Sequence, residues 1–307
     1  MANDERNFRS SYYEKVGCRS VEEKKSLEIL LKEKPWDKVK LKQFGLRFTI
    51  PATYRNLLWK VQLGVLPVYT DSHVFVTSQR QAQFNDLFHA LKVMRIVDDN
   101  TPKPQLFMAM FFLEMRRLHY DFNVQMESGI VPISETLLQM YDDDIDVYWL
   151  AKGFYNLVQQ FGKDIPRLIE STKNLLEKED QDLYRYLNEK HSLDSIPLDK
   201  WFSSCFAGVL DESALVKIWD KVCGGSSNIL VYVAVTLIVT LRRNLLKCKN
   251  CEQIIKCLQD VNDCNQLQED VSRIEEYCEN NQLYLNIDKC NVITFTRKKI
   301  QLIIFTN

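Results

Sequence analysis

The run Ile229 to Leu241 (ILVYVAVTLIVTL), closed by Arg242-Arg243, constrains this chain more than any other stretch. Crossing a bilayer takes about 20 apolar residues, so a run this short reads as a helix buried inside protein. The 307 residues are enough for one large domain or two smaller ones. Hydrophobic residues make up 46% and charged residues 26%, the balance of a globular chain and not of a disordered one. A formal net charge of −1 supplies no field that would recruit nucleic acid or anionic membrane. Short basic runs such as Arg297-Lys298-Lys299 read as solvated surface. The opening residues Met1 to Asn7 are charged with no apolar segment behind them, which is not the pattern of a signal peptide. Nine cysteines, an odd and scattered set, point to reduced thiols and a cytoplasmic setting, with any membrane association made through partners.

Helical signals run from about residue 20 to residue 263. Ser20 and Glu23 have capping-box spacing ahead of Leu27, Ile29, Leu30 and Leu31. Pro51 suits a helix start, and Tyr54, Leu57, Leu58 and Val61 follow at helical spacing. Phe84, Leu87, Phe88, Leu91 and Met94 form a longer stripe; Tyr148, Trp149, Phe154 and Leu157 mark another helix, and Leu168, Leu175 and Leu176 a further one. Nine glycines and eight prolines are too little punctuation for an all-β protein of this length, and no fixed-period repeat suggests a solenoid. The expected fold is all-α, a single helical domain over residues 21–263, preceded by an extension over 1–20. Residues 264–307 differ: Gln282 to Ile287 and Val292 to Thr296 alternate in strand fashion, so a short β-containing appendage is expected there.

Enzyme constellations are missing from the text of the chain. It has no GxxxxGK[ST] phosphate loop, GxGxxG, HExxH or GxSxG elbow. The four histidines, His73, His89, His119 and His191, are spread apart; Asp86 and Asp194 each lie a turn from one of them without an evident nucleophile. Cys248-x-x-Cys251 with Cys257 and Cys264 has a zinc-like start, but no histidine or turn glycine accompanies it, so no metal or cofactor is expected. Asp142-Asp143-Asp144 with Asp146 lacks the glycine and glutamate of a calcium loop and reads as an acidic helix start.

The distinctive residues lie elsewhere. Arg55 and Trp59 form an R-x-x-x-W element, and Trp201, Cys205, Phe206 and Ala207 precede Ile218-Trp219-Asp220 in a W-x-x-x-C-F-A … I-W-D element. In this order they resemble the TBC domain of Rab GTPase-activating proteins, and the likeness covers roughly residues 7 to 263. That family implies an all-α domain that accelerates GTP hydrolysis in trans. An arginine in I-x-x-D-x-x-R offsets charge on the transferring phosphate, and a glutamine in Y-x-Q-G orients the attacking water. Phosphoryl transfer requires both functions, since it rests on positioning and charge stabilisation.

Both fingers depart from the pattern here. Ile96 and Asp99 fit the first motif, but the arginine position holds Pro102, which carries no charge. A shifted register places Arg95 at the arginine position, with His89 and Lys92 in place of the isoleucine and aspartate. No Y-x-Q-G exists; Leu106 to Met115 (LFMAMFFLEM) runs where it should fall. Arg55, Trp59, Asp99, Trp201, Phe206, Trp219 and Asp220 are read as a retained scaffold, with Arg55, Asp99 and Asp220 as a buried charge network. The 106–115 helix is apolar nearly all round and is either core or partner surface; as a surface it would present Phe107, Phe111 and Met115 on one stripe.

The start of the chain, with Asn7-Phe8-Arg9-Ser10, Val21 to Lys32 and His89 to Val93, is similar to one branch of the TBC family in particular. That resemblance implies a scaffold that holds the coiled coil of hamartin inside the tuberous sclerosis complex, which restrains growth and TOR signalling through the GTPase Rheb. An active Rab GTPase-activating protein, with Arg95 as finger and Rab GTPases as partners, is the alternative. Residues from about Leu267, including Cys278, Leu285-Asn286 and Thr294 to Lys299, resemble the reverse transcriptase of LINE-type retrotransposons. The fragment lacks the Y/F-x-D-D carboxylates on which two-metal polymerisation depends, so no polymerase activity and no nucleic-acid partner are expected.

Overall fold

A computed structural model of the chain describes residues 21–118 and 129–259, and all regular structure among them is helical. The expected β appendage, the 1–20 extension and the reverse-transcriptase-like residues lie outside the described residues. The helices gather into two compact units. The first takes the chain as far as Gln160 and adds Trp219–Gly225; the second holds Phe161–Ile218 and the chain from Ser226 onward.

In the first unit, α1 (Val21–Lys32) packs on α2 (Lys38–Arg47), and α2 on α3 (Ala52–Gln62). Asp37 caps α2 by accepting from the Val39 and Lys40 amides at 2.9 and 3.2 Å, satisfying donors that a helix start leaves open. Pro51 stands just ahead of α3, as its fixed φ favours, and its carbonyl accepts from the Tyr54 and Arg55 amides. The chain then runs through α4 (His73–Val93), α5 (Lys103–Glu114), α6 (Ile130–Met140) and α7 (Asp144–Phe161). α5 packs against both α4 and α6. The acidic cluster opens α7 as its sequence suggests: Asp143 accepts from the Ile145 amide at 2.9 Å, and Asp144 and Asp146 pair with Lys103 and Lys60.

The second unit contains α8 (Ile165–Glu179), α9 (Gln181–Glu189) and α10 (Leu198–Ser203). The helix α11 (Glu212–Gly224) starts in this unit and ends in the first. Then come α12 (Ile229–Thr240), α13 (Arg242–Leu245) and α14 (Cys251–Gln259). The apolar run forms α12, buried as expected, with Leu230, Ala234, Leu237 and Ile238 fully out of solvent and α8 packed against it. Asp180 both caps α9 through the Leu183 amide at 3.0 Å and pairs with Arg242. No helix among the described residues is long and apolar enough to cross a membrane.

Candidate functional site

The motif residues of the first unit converge on one carboxylate. Asp220 has no exposed surface, and its two oxygens meet four donors. Oδ1 accepts from Trp59 Nε1 at 2.8 Å and Arg55 Nε at 3.2 Å; Oδ2 accepts from the Ile50 amide at 2.9 Å and Arg55 Nη2 at 3.3 Å. A carboxylate offers about four lone-pair sites, and all four are occupied. Arg55 Nη2 also donates to the Ile50 carbonyl at 2.5 Å, so the guanidinium ties α3 to the turn before it and to the end of α11. Burial pushes the Asp220 carboxyl up to about 6, opposed by the Arg55 charge and hydrogen bond and by the Ile50 amide, so it is ionised at neutral pH.

Close packing holds this centre. Trp59, Phe154 and Trp219 form a ring cluster, with Trp59 and Phe154 edge to face at 5.2 Å and Phe154 and Trp219 at 4.4 Å. A Cβ added at Gly45 of α2 would lie 3.2 Å from the Asp220 carbonyl, so only glycine permits this approach without a shift. In the second unit, Trp201 and Phe206 make a separate ring pair at 5.7 Å. Cys205 and Phe206 both adopt left-handed backbone (φ 49° and 63°), a conformation that costs about 1–2 kcal/mol per residue outside glycine. The Phe206 amide, bonded to the Trp201 carbonyl at 2.8 Å, helps fix it.

Asp99 is not part of this network, which corrects the expected Arg55–Asp99–Asp220 arrangement. Its side chain is 85% exposed and pairs with Lys92 across the loop between α4 and α5. The loop turns on its neighbour Asp98, which accepts from the Asn100 amide at 2.9 Å and the Thr101 hydroxyl at 3.0 Å. These bonds hold the Asp98 carboxyl below the usual carboxylate range. Pro102 is exposed at the start of α5, and Arg95 is exposed with a left-handed φ of 57°.

Phe107 and Phe111 are buried, which corrects the reading of the 107–111–115 stripe as a partner surface; of the three, only Met115 is exposed. The reason is that α5 is enclosed by rings of its own unit: Phe107 meets Phe84 and Tyr148 at 6.2 and 5.9 Å, and Phe111 meets Tyr155 at 5.1 Å. At the end of α5, Glu114 gathers a polar cluster that sequence reasoning missed. It accepts from Gln83 at 2.9 Å and Tyr148 at 3.3 Å, and it pairs with Lys152. Burial, then Glu114, raises the Tyr148 hydroxyl, and burial lowers Lys152 in spite of Glu114. The one available signal was an acid ending an otherwise apolar run.

The histidine and cysteine candidates do not assemble. Asp194 pairs with Lys173, Cys248 Sγ bonds the Asn244 carbonyl at 3.3 Å, and Cys251 Sγ approaches the His191 carbonyl at 4.0 Å. Among the described residues no group of three or more His, Cys, Asp or Glu is placed to hold a metal; Cys264 lies outside them.

Comparison with known proteins places the chain in a family. A Rab-GTPase-TBC domain model matches residues 118–246. TBC1 domain family member 7 of Xenopus tropicalis is 42% identical over 270 residues, covering 86% of this chain and 92% of the relative. The chain belongs to the TBC1 domain family, on its member 7 branch. The human member 7 is 41% identical over 263 residues, covering 84% of this chain and 90% of its own length. The crystal structure of the Ypt/Rab-GAP domain of Gyp1p superposes with a TM-score of 0.54 at 16% identity, covering 84% of this chain and 98% of that domain, which places the TBC fold alone. Within this TBC-family chain, Arg55, Trp59, Trp219 and Asp220 hold a helix junction together, while Pro102 and Arg95 lie on an exposed loop.

Proposed function

We propose that this chain is a non-catalytic scaffold subunit of a tuberous sclerosis-type complex, binding the coiled coil of hamartin and supporting negative regulation of TOR signalling. One observation carries the reading: the Asp220 centre that shapes the domain is complete, whereas the position of the arginine finger holds Pro102 and the position of the glutamine motif holds the buried core of α5. The member 7 relatives support the assignment to this branch. Proline offers neither charge nor a donor, and Phe107 to Phe111 offer a developing phosphate charge nothing. Helix-in-groove docking is the recognition mode that suits a coiled-coil partner.

The test is a pull-down of purified hamartin coiled coil by the full chain, followed by sizing of the complex. A stable complex supports the scaffold; no capture at tens of micromolar refutes it. The exposed side chain of Arg95 favours a second reading, an active Rab GTPase activator. Acceleration of Rab GTP hydrolysis that Arg95→Ala abolishes would establish that alternative.

A further inference from the structure

The second unit carries a basic surface where two stretches of its chain meet. One is the turn from α13 into α14, with Arg243, Lys247 and Lys249; the other is the end of α9, with Lys190. Three contacts bring them together. The Tyr186 hydroxyl donates to the Cys248 carbonyl, Cys251 Sγ approaches the His191 carbonyl at 4.0 Å, and the Lys190 ammonium lies 5.7 Å from the centre of the Tyr186 ring. The turn itself is fixed by reciprocal bonds: the Asn250 side chain accepts from the Gln253 amide at 3.0 Å, and the Gln253 side chain accepts from the Lys249 amide at 2.8 Å.

The four cations are uncompensated. None pairs with a carboxylate among the described residues, whereas their neighbours Arg242 and Arg185 pair with Asp180 and Asp182. Arg243, Lys247 and Lys249 are exposed and Lys190 is half-buried. The acids that share these stretches unpaired are Glu189 and Glu252, so positive charge is in excess. The chain's net charge of −1 does not cancel that excess, because charges farther off than about 8 Å are screened at physiological salt. Leu246 stands among the cations with 37% of its surface exposed, and the partly exposed Cys248 and Cys251 add small apolar groups. Cations around an apolar side chain match a layer of anionic lipid: the charges meet headgroups while the leucine enters the boundary beneath them. A single-stranded nucleic acid asks instead for open rings to stack on, and the Tyr186 ring is held by its hydroxyl and faced by Lys190.

We propose that this face of the second unit binds an anionic membrane surface, with Lys190, Arg243, Lys247 and Lys249 against the headgroups and Leu246 inserted between them. Each cation near such a surface strengthens binding about fivefold, so the contact is peripheral, reversible and sensitive to salt.

The experiment sediments the full chain with phosphatidylcholine vesicles, with and without about 30% phosphatidylserine, at about 0.1 M and about 0.5 M salt. Wild type is compared with the triple variant Arg243→Glu/Lys247→Glu/Lys249→Glu, with Leu246→Ser, and with Lys32→Glu/Lys163→Glu/Lys200→Glu, a charge-matched control on scattered exposed sites. Melting curves confirm that each folds. Wild type binds the phosphatidylserine vesicles alone and is released at the higher salt. The patch variant loses roughly 100-fold or more in affinity, Leu246→Ser loses a few-fold, and the control keeps most of its binding. No preference between the two vesicles, an equal loss in both triple variants, or unchanged binding by Leu246→Ser overturns the proposal. Capture of labelled single-stranded RNA that the patch variant abolishes, with no vesicle binding, would assign the face to nucleic acid and also overturn it.

Discussion

Replacing Asp220 with asparagine tests the central packing claim at a single atom. The amide keeps one acceptor oxygen and turns an NH2 group toward donors: Trp59 Nε1 and Arg55 Nε in one orientation, the Ile50 amide and Arg55 Nη2 in the other. Either way two buried donors lose their partner, each worth about 1–3 kcal/mol, and the Arg55 guanidinium loses its counter-charge. Breaking a buried ion pair from one side costs about 3–5 kcal/mol in all. For a body of this size each kcal/mol moves the melting temperature by about 2–4 °C, so a drop of roughly 6–20 °C follows. Urea titration is the assay, with the midpoint falling and the slope unchanged. Arg55→Met combined with Asp220→Leu should be less damaging than Asp220→Leu alone, because the double variant leaves no orphaned charge. A loss below about 1 kcal/mol in Asp220→Asn would refute the reasoning.

Further outcomes follow from the same structure. Asp99→Ala shifts stability by no more than about 1 kcal/mol in the same urea assay, since it removes an exposed pair with Lys92. Phe107→Ala costs about 3–5 kcal/mol by calorimetry, whereas Met115→Ala stays within about 0.5 kcal/mol, which separates the core face of α5 from its exposed end. Gly153→Ala destabilises by about 1–3 kcal/mol, because the new Cβ would lie 2.9 Å from Leu63 Cβ and α7 must shift. Asp98 titrates below the usual carboxylate range in NMR, so the loop's stabilisation is present above that range and is lost as pH falls through the lower folded value; Thr101→Val moves the titration back up.

Much of the Asp220 centre was legible because R-x-x-x-W puts an arginine and a tryptophan one turn apart on one helix face, and I-W-D puts a second tryptophan beside the carboxylate that both of them reach. The Ile50 amide was not legible, since a backbone donor leaves no mark in a motif. Asp99 was misplaced for a physical reason: the I-x-x-D spacing says nothing about which way a loop turns, and the Asp98–Thr101 bonds turn it so that Asp99 meets Lys92 in solvent. α5 was ambiguous in the same sense, because a helix apolar all round fits a core or an interface equally well; only the rings of Phe84, Tyr148 and Tyr155 decide it. α4 was read more nearly right. Of its stripe, Phe84 and Leu91 are buried and Leu87 and Phe88 half-buried, while Met94, just past the helix end, is exposed.

Single-turnover GTP hydrolysis across a panel of Rab GTPases, with the full chain in excess, tests the non-catalytic reading most directly. The expected result is hydrolysis at each GTPase's own rate, against the roughly 10³–10⁵-fold gain that a working arginine finger provides. Acceleration on any Rab that Arg95→Ala removes would contradict the account.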